Sequence, residues 1–211
     1  MDSGAWDERY TATELVWGRE PNAWIARETA DLPPGRALDL AAGEGRNALW
    51  LAGRGWWVDV VDFSSVALDR GRELAAALPG EAAGRLTWVR ADVLSHRPPR
   101  GAYDLVVIAY LHLPAGERRP VLRRAAEAVA PGGTLLVIGH DMANLTEGTG
   151  GPQDPRVLFT SDDVLADVAG TGLETESAGR LRRPVAAGPG RTAGEAVDAV
   201  ARLRRPPGGK S

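Results

Sequence analysis

The fold of this chain follows from one stretch, Asp39-Leu40-Ala41-Ala42-Gly43-Glu44-Gly45-Arg46-Asn47, in which a short apolar strand leads into a glycine turn and the start of a helix. Gly43 and Gly45 permit backbone conformations that other residues avoid, and they let a ligand approach the main chain closely. The free N–H groups at the helix start can bind an anionic or polar group. Asp62 ends the next predicted strand, 19 positions after Gly43, where a carboxylate can accept hydrogen bonds from both hydroxyls of a ribose. Together these features indicate a cofactor that contains adenosine.

Strand patterns and helix patterns alternate on both sides of this stretch. The alternation predicts strands at 37–40, 57–61, 86–89, 103–110 and 134–138, helices at 47–52, 64–78 and 115–130, and a turn at 131–133. Short apolar strands separated by helices indicate a parallel sheet covered on both faces, and the right-handed crossover rule makes it doubly wound. Two further strands, 173–185 and 196–203, follow each other closely and should pair antiparallel. The predicted fold class is therefore α/β: a doubly wound, Rossmann-like, mostly parallel sheet with an antiparallel strand pair at a C-terminal edge.

The 211 residues fit a single domain. We assign it to residues 1–205 and expect a flexible tail at 206–211. Residues 1–31 are rich in aromatic side chains, and we expect them to form a helical lid segment.

Composition excludes several classes of protein. With no cysteine, disulfides, thiol catalysis and zinc–thiolate sites are ruled out. The formal net charge of -3 argues against a general nucleic-acid binder, and we interpret the arginines at 180–183 and 202–205 as solvated strand ends. We find neither a signal peptide nor a run long enough to span a membrane, so we expect a cytoplasmic protein with no nucleic-acid or membrane partner.

The glycine loop alone leaves more than one interpretation open. Gly43 and Gly45 with Ala48 also satisfy the dinucleotide-binding pattern G-x-G-x-x-G/A. The loop is therefore also compatible with a nicotinamide or flavin enzyme. The glycines could also make nothing more than a tight turn between strand and helix.

The residues around the loop favour one family. The stretch 39–47 resembles the first motif of class I S-adenosylmethionine-dependent methyltransferases, acidic-x-Gly-x-Gly-x-Gly, with Ala41 in place of the first glycine. Four later stretches resemble the later motifs of that family and occur in the same order: Val60–Ser64, Arg90–Val93, Tyr103–Val107 and Pro131–Leu135. Residues 6–22 are similar to the N-terminal segment of bacterial small-molecule enzymes near the tellurite-resistance and thiopurine groups. The resemblance implies S-adenosylmethionine as cofactor and a small-molecule methyl acceptor.

The resemblance also implies roles for individual residues. Asp39 would contact the amino acid end of the cofactor, Ala41 and Gly43 would offer backbone contacts to its methionine part, and Arg46 and Asn47 would approach the methionine carboxylate. Asp39 could instead cap the loop, and Arg46 could be a solvated residue on the helix surface.

For the nucleoside part, the resemblance implies a second group of contacts. Asp62 would accept from both ribose hydroxyls, with Ser64 beside it in the same motif. Phe63 and Val93 would sandwich the adenine, and Asp92 would accept from its amino group, although Phe63 could be core and Asp92 could simply form a turn. The cofactor site is completed by Ala109 and Tyr110 as its floor, and by Trp6, Tyr10 and Trp17 as a lid or, alternatively, as a helix face packed on the core.

Two histidines are the candidate catalytic residues. His112 and His140 follow the fourth and fifth predicted strands, so both lie at the carboxyl edge of the sheet and could accept a proton near neutral pH. They could equally be hydrogen-bonded loop residues that shape the pocket. Together with Asp141 they have the ligand types of a metal site, but no ligand spacing supports one, and we expect no metal.

Two rival functions stay open at this stage: a nicotinamide-dependent oxidoreductase of Rossmann type and a non-catalytic S-adenosylmethionine-binding protein. A nucleic-acid substrate is disfavoured because residues 109–112 lack the Asn/Asp-Pro-Pro-Tyr motif of amino-methylating enzymes. The acceptor atom and the oligomeric state are left open.

Overall fold

The computed structural model describes residues 7–8, 11, 20–187 and 193–208. Within these residues seven strands form one sheet. The strands are β1 Arg36–Leu40, β2 Trp57–Asp62, β3 Leu86–Arg90, β4 Tyr103–Ala109, β5 Val129–His140, β6 Glu174–Val185 and β7 Gly194–Arg204. Their order across the sheet is β3-β2-β1-β4-β5-β7-β6.

The strands β1 to β5 pair in parallel, whereas β7 pairs antiparallel with both β5 and β6. This arrangement confirms the predicted fold class, including the antiparallel pair at one edge. From β1 the chain first builds outward through β2 and β3, and then returns to place β4 on the other side of β1. Ligands of doubly wound sheets bind at such a switch point, outside the carboxyl ends of the strands. The loop after β1 lies there.

Three of the helices in the described residues begin at short polar side chains that cap them. Asn22, Ser64 and Thr160 accept hydrogen bonds from backbone N–H groups of the first turns of α1, α3 and α6, which satisfies donors that would otherwise lack partners. The helices are α1 Ala23–Glu28, α2 Arg46–Gly53, α3 Ser65–Ala75, α4 Ala115–Ala128, α5 Asn144–Glu147 and α6 Ser161–Val168, with a 3-10 turn at Ala82–Arg85.

Alternate residues of the strands point to opposite faces of the sheet and form two cores. On one face α4 and α6 pack against side chains such as Val106 and Val137. On the other face α1, α2 and α3 pack against side chains such as Val107 and Ile138. Both faces of the central strands are therefore buried. Among the described residues, no helix is both long and apolar enough to cross a bilayer.

The boundary between α4 and β5 differs from the prediction. The predicted helix to Ala130 is two residues too long, because α4 ends at Ala128 and β5 begins at Val129, which pairs with Tyr103. Residues 131–133, predicted as a turn, lie inside β5 at a shift in its register with β4. Gly132 has φ +82° there, a conformation that bends the strand without ending it.

Candidate active site

The loop after β1 has left-handed backbone at alternate residues. Ala41, Gly43 and Gly45 have φ of 58°, 58° and 74°. Gly45 caps the N-terminus of α2, and a Cβ there would lie 3.0 Å from the ring of Trp88. A left-handed alanine is strained, and such strain concentrates at functional sites. The loop therefore presents its backbone to the space above the carboxyl ends of β1 and β4.

Asp62, at the end of β2, anchors this loop. Its Oδ2 accepts a hydrogen bond of 2.8 Å from the Gly43 backbone N–H, and its Oδ1 accepts one of 2.9 Å from the Ser64 backbone N–H. Burial raises the pKa of Asp62 above its ordinary value, although the two backbone N–H groups favour its ionised form. Since a carboxylate can accept about four hydrogen bonds, Asp62 can hold the loop and still accept from two further hydroxyls.

One described residue of the predicted lid lies beside Asp62. The carboxylate of Asp7 accepts a hydrogen bond from the Ser64 hydroxyl, and its charge adds to the raised pKa of Asp62. The N-terminal segment therefore reaches the site at this point. Trp6, Tyr10 and Trp17 lie outside the described residues, so their contact with a cofactor stays a prediction.

Asp39 is a buried carboxylate whose two oxygens have no hydrogen-bond partner within the described part of the chain. It lies near the end of β1, is 1% exposed, and neither of its oxygens is bonded to a described residue. Burial first, and then the charge of Asp62, raise the pKa of Asp39 to about 7, and the charge of Arg46 and the backbone N–H of Ala48 offset this only in part. The alternative that Asp39 caps the loop is therefore not what the structure shows. An unpaired buried carboxylate is costly unless a cation or donor faces it, and the amino group of a bound amino acid is such a cation.

The two residues that open α2 differ in their contacts. Asn47 is buried, and its Oδ1 accepts a hydrogen bond of 2.9 Å from the Asn22 backbone N–H, which fastens α1 to α2. Arg46 is half-buried. Burial lowers the pKa of Arg46, and the charged groups around it include Arg183 and Asp39. It therefore faces the site and is not a solvated residue of the helix surface.

The residues predicted to surround adenine lie after β2 and β3. Phe63 and Val93 are both half-buried, and Arg124 donates a hydrogen bond of 2.8 Å to the Val93 carbonyl. Asp92 is exposed, and its Oδ1 accepts from the Leu94 backbone N–H at 2.8 Å. This is the turn that the sequence left open as an alternative role for Asp92, and the adenine contacts stay predictions.

Tyr110 follows β4 in a left-handed conformation, with φ +58°. Its hydroxyl accepts a hydrogen bond of 3.2 Å from Asn22 and donates one of 2.9 Å to Asp198. Burial, and then the charge of Asp198, raise the pKa of Tyr110 to about 12. Tyr110, which follows Ala109 at the predicted cofactor floor, thus also joins α1 to β7.

Asp198, in the middle of β7, is the centre of a buried polar cluster. Its Oδ2 accepts hydrogen bonds of 2.8 Å from Trp24 Nε1, 2.9 Å from the Tyr110 hydroxyl and 3.0 Å from Arg183 Nε. Its Oδ1 lies 3.3 Å from Nδ1 of His140, within ion-pair distance, and neither of these two atoms has a hydrogen-bond partner among the described residues. Burial alone would raise the pKa of Asp198, but these neighbours hold it below its ordinary value.

The two candidate catalytic histidines lie side by side. Their rings stack with centroids 5.5 Å apart and an interplanar angle of 11°, and Nε2 of His112 accepts a hydrogen bond of 3.2 Å from the His140 backbone N–H. Burial, and then the charge of His140, lower the pKa of His112 to about 4. His112 is therefore neutral at pH 7 with its proton on Nδ1. No group of three His, Cys, Asp or Glu side chains among the described residues is placed to hold a metal.

Sequence reasoning missed Asp198, Arg183, Trp24 and Asn22. A signal for Asp198 was available, since it is the one acid in the apolar run 196–201. Arg183 was grouped with solvated strand ends, which is wrong for this residue: its side chain is half-buried against Asp198. Both residues reach the site because β7 lies beside β5 with Asp198 paired to His140.

Comparison with known proteins finds similarity to methyltransferases over part of the chain. Residues 37–133 match the family model described as a methyltransferase domain. Thiocyanate methyltransferase 1 of Brassica oleracea is 27% identical over 183 residues, which cover 83% of this chain and 77% of the relative. Uncharacterized methyltransferases of Mycobacterium bovis and Mycobacterium tuberculosis are 33% identical over 112 residues. The match spans about half of their length, 53% in each.

Solved structures share the fold over nearly the whole chain. A structure from work on the conversion of a disulfide bond into a thioacetal group during echinomycin biosynthesis has a TM-score of 0.77 at 21% identity, and covers 97% of this chain and 91% of that one. The N-methyltransferase NodS of Bradyrhizobium japonicum, in complex with S-adenosyl-L-homocysteine, has a TM-score of 0.70 at 17% identity, with 98% and 100% covered.

Proposed function

We propose that this chain, which belongs to the class I S-adenosylmethionine-dependent methyltransferases, binds S-adenosylmethionine on the loop after β1 and transfers its methyl group to a small-molecule acceptor. The proposal rests on two carboxylates that lie beside the same loop, those of Asp39 and Asp62. Asp39 offers two unpartnered, buried carboxylate oxygens, and Asp62 offers further acceptor positions beside the same loop.

The charges of the site favour this cofactor over a dinucleotide. In dinucleotide-binding folds the glycine loop holds the pyrophosphate, and a buried carboxylate at Asp39 would repel that anion. The methionine part of S-adenosylmethionine instead carries an ammonium group, which can pair with Asp39. Its ribose hydroxyls can donate to Asp62. The residues present therefore fit the cofactor.

When bound, S-adenosylmethionine supplies an activated methyl group on a sulfonium. The chain's part is chiefly alignment, since the leaving thioether needs no protonation. Arg46 can pair with the methionine carboxylate through charge-assisted hydrogen bonds. Asp7 bonds to Ser64 beside the site, which supports the proposal that the N-terminal segment excludes water as a lid, with Trp6, Tyr10 and Trp17 as its proposed residues.

The acceptor is proposed to be small for two reasons. The described chain has one sheet with its helices and no second unit beside it, and the net charge of -3 lacks the basic excess that is typical of nucleic-acid binders. Relatives named for small acceptors agree with this, among them a demethylmenaquinone methyltransferase of Thermus thermophilus, 36% identical over 127 residues that cover 59% of this chain and 54% of the relative.

A labelled-methyl screen tests the proposal. The purified protein is incubated with S-adenosylmethionine labelled in its methyl group and with thiols, phenols, amines and chalcogen oxyanions in separate reactions. We expect labelled product with at least one acceptor class, together with an equal amount of S-adenosylhomocysteine. Binding of the cofactor without transfer to any class would instead support the non-catalytic alternative.

A further inference from the structure

The two oxygens of Asp198 face different partners. All the hydrogen bonds that the described residues make to this carboxylate fall on Oδ2, from Trp24, Tyr110 and Arg183. Oδ1 faces Nδ1 of His140 at 3.3 Å. Three donors, from α1, from the residue after β4 and from β6, thus fix the orientation of the carboxylate, and the oxygen turned to His140 has no other partner among the described residues.

This arrangement determines which nitrogen of His140 carries the proton. An ionised carboxylate can accept a hydrogen but cannot donate one, so Nδ1 of His140 is favoured in its protonated form. Burial opposes the ionised form of Asp198, but His140, Trp24 and Arg183 outweigh it and hold the pKa of Asp198 below the ordinary value. In the neutral imidazole, Nε2 is then the basic nitrogen.

His112 does not compete for this role. Its Nε2 is engaged by the backbone N–H of His140, and its remaining nitrogen carries the proton. His140, by contrast, keeps 12% of its side chain exposed at the carboxyl edge of β5, and its ring has His112 on one side and Gly151 close by.

We propose that Asp198 is a positioning residue that holds the proton of His140 on Nδ1, so that Nε2 of His140 is the general base for an acceptor bearing a hydroxyl or amine proton. This rests on the proposed function and narrows its substrate class. An acceptor such as a thioether or a chalcogen oxyanion, which has no proton to lose, would not use this arrangement.

The reaction that follows is balanced. The acceptor O–H or N–H bond breaks and its proton moves to Nε2 of His140. The acceptor lone pair forms the new bond to the methyl carbon, while the sulfur–methyl bond breaks and its electrons stay on sulfur as a neutral thioether. The imidazolium formed on His140 is stabilised by Asp198, and it later releases its proton to water.

Asp198→Asn tests the proposal without altering the shape of the cluster. The side-chain oxygen of asparagine must occupy the Oδ2 position, because three donors converge there. Its NH2 group then takes the Oδ1 position and donates to Nδ1 of His140, which moves the imidazole proton to Nε2 and blocks the base. The same exchange in a serine protease triad leaves the geometry intact and gives the wrong tautomer.

The readout is nitrogen NMR of the protein labelled with 15N-histidine, titrated from pH 5 to 10. In the native protein we expect His140 to lose its proton from Nε2 and to keep Nδ1 protonated, and in Asp198→Asn we expect the opposite. Loss of the Nδ1 proton first in the native protein would overturn the proposal, even if the variant does not fold. Asp167→Asn is the matched control: Asp167 is equally buried and bonded to arginines, but it lies on α6 away from the histidines.

Cofactor binding, measured on the same samples, separates this inference from the proposed function. Asp198→Asn should bind S-adenosylmethionine as the native protein does and should lower turnover of a hydroxyl or amine acceptor by about 100-fold or more. If the native protein shows the expected tautomer but binds no S-adenosylmethionine, the proposed function fails and the tautomer assignment stands. If the variant keeps full turnover, Asp198 does not act through His140.

Discussion

The carboxylate of Asp62 accepts a hydrogen bond of 2.8 Å from the backbone N–H of Gly43. Asp62, the last residue of β2, therefore holds the loop that follows β1. The position of its carboxylate relative to that loop is fixed before any ligand binds. A ribose bound there meets acceptors that are already in place, which reduces the entropy lost on binding.

Replacing Asp62 with alanine should weaken the binding of S-adenosylmethionine by about tenfold or more, because hydrogen bonds to a charged acceptor are lost and the loop loses its anchor. Titration calorimetry measures the change. Asp59→Ala is the matched control, since Asp59 lies on the same strand but pairs with Arg36 and Tyr103 near the amino end of the strand, away from the site. Unchanged affinity in Asp62→Ala would remove the ribose assignment.

The buried carboxylate of Asp39 should make the ligand-free protein less stable as pH rises. Its pKa is raised to about 7 in the folded state from the ordinary value of 3.8, so the folded protein binds the proton more tightly than the unfolded chain does. Stability contributed in this way is present below about pH 4 and is lost as the pH rises to about 7. A shift of about 3 pKa units corresponds to at most about 4 kcal/mol.

Asp39→Asn should remove most of that pH dependence, because the amide does not ionise. Thermal unfolding of both proteins at pH 4.5 and pH 8 tests this, and the native protein should lose more stability between the two values than the variant. The variant should also bind S-adenosylmethionine more weakly at pH 8, where the native carboxylate can pair with the ammonium group. Equal pH dependence in the two proteins would contradict the assignment.

Gly151→Ala should displace the ring of His140. A Cβ at this position would lie 2.5 Å from Cδ2 of the ring, and we expect methyl transfer to fall at least tenfold while cofactor binding is retained, since misplacement of a catalytic group by about 1 Å is costly. Gly150→Ala is the matched control. Its φ of +79° carries the same backbone strain as the +77° of Gly151, but a Cβ there meets no atom within 4 Å. Equal activities of the two variants would show that His140 is not needed where it lies.

Tyr110→Phe should lower both stability and activity. It removes the hydroxyl that accepts from Asn22 and donates to Asp198, which should cost about 1–3 kcal/mol in the free energy of unfolding. Tyr103→Phe, at the other end of β4, removes a comparable bond to Asp59. We expect the control to lose stability in denaturant unfolding while it keeps methyl transfer. Full activity of Tyr110→Phe would show that methyl transfer does not depend on the bonds of the Tyr110 hydroxyl in the polar cluster around Asp198.

Most of the fold was predictable because each buried strand corresponds to an apolar run in the sequence with turn residues on either side. The residues 103–110 and 57–61 gave strands close to the observed β4 and β2, and the antiparallel pairing of β6 with β7 followed from their short connection. The α4–β5 boundary was not predictable in this way, because residues 131–133 have the composition of a turn and yet continue a strand through a bulge.

The site residues also fall into two groups, those that a local sequence pattern predicts and those that depend on the strand order of the sheet. The loop after β1 and Asp62 are local signals, since each follows directly from a strand end. The place of Asp198 beside His140 depends on β7 entering the sheet next to β5, a pairing between residues 58 positions apart that no local pattern encodes. The role of Asp198 could be recognised once the sheet order was known, because a single acid in a buried strand requires partners.

Equilibrium binding of S-adenosylmethionine and of NAD(P) to the native protein tests the central claim most directly. The account predicts saturable binding of S-adenosylmethionine at one site per chain and no measurable binding of NAD(P), since Asp39 pairs with an ammonium group and repels a pyrophosphate. Tight binding of NAD(P) with no binding of S-adenosylmethionine would contradict it.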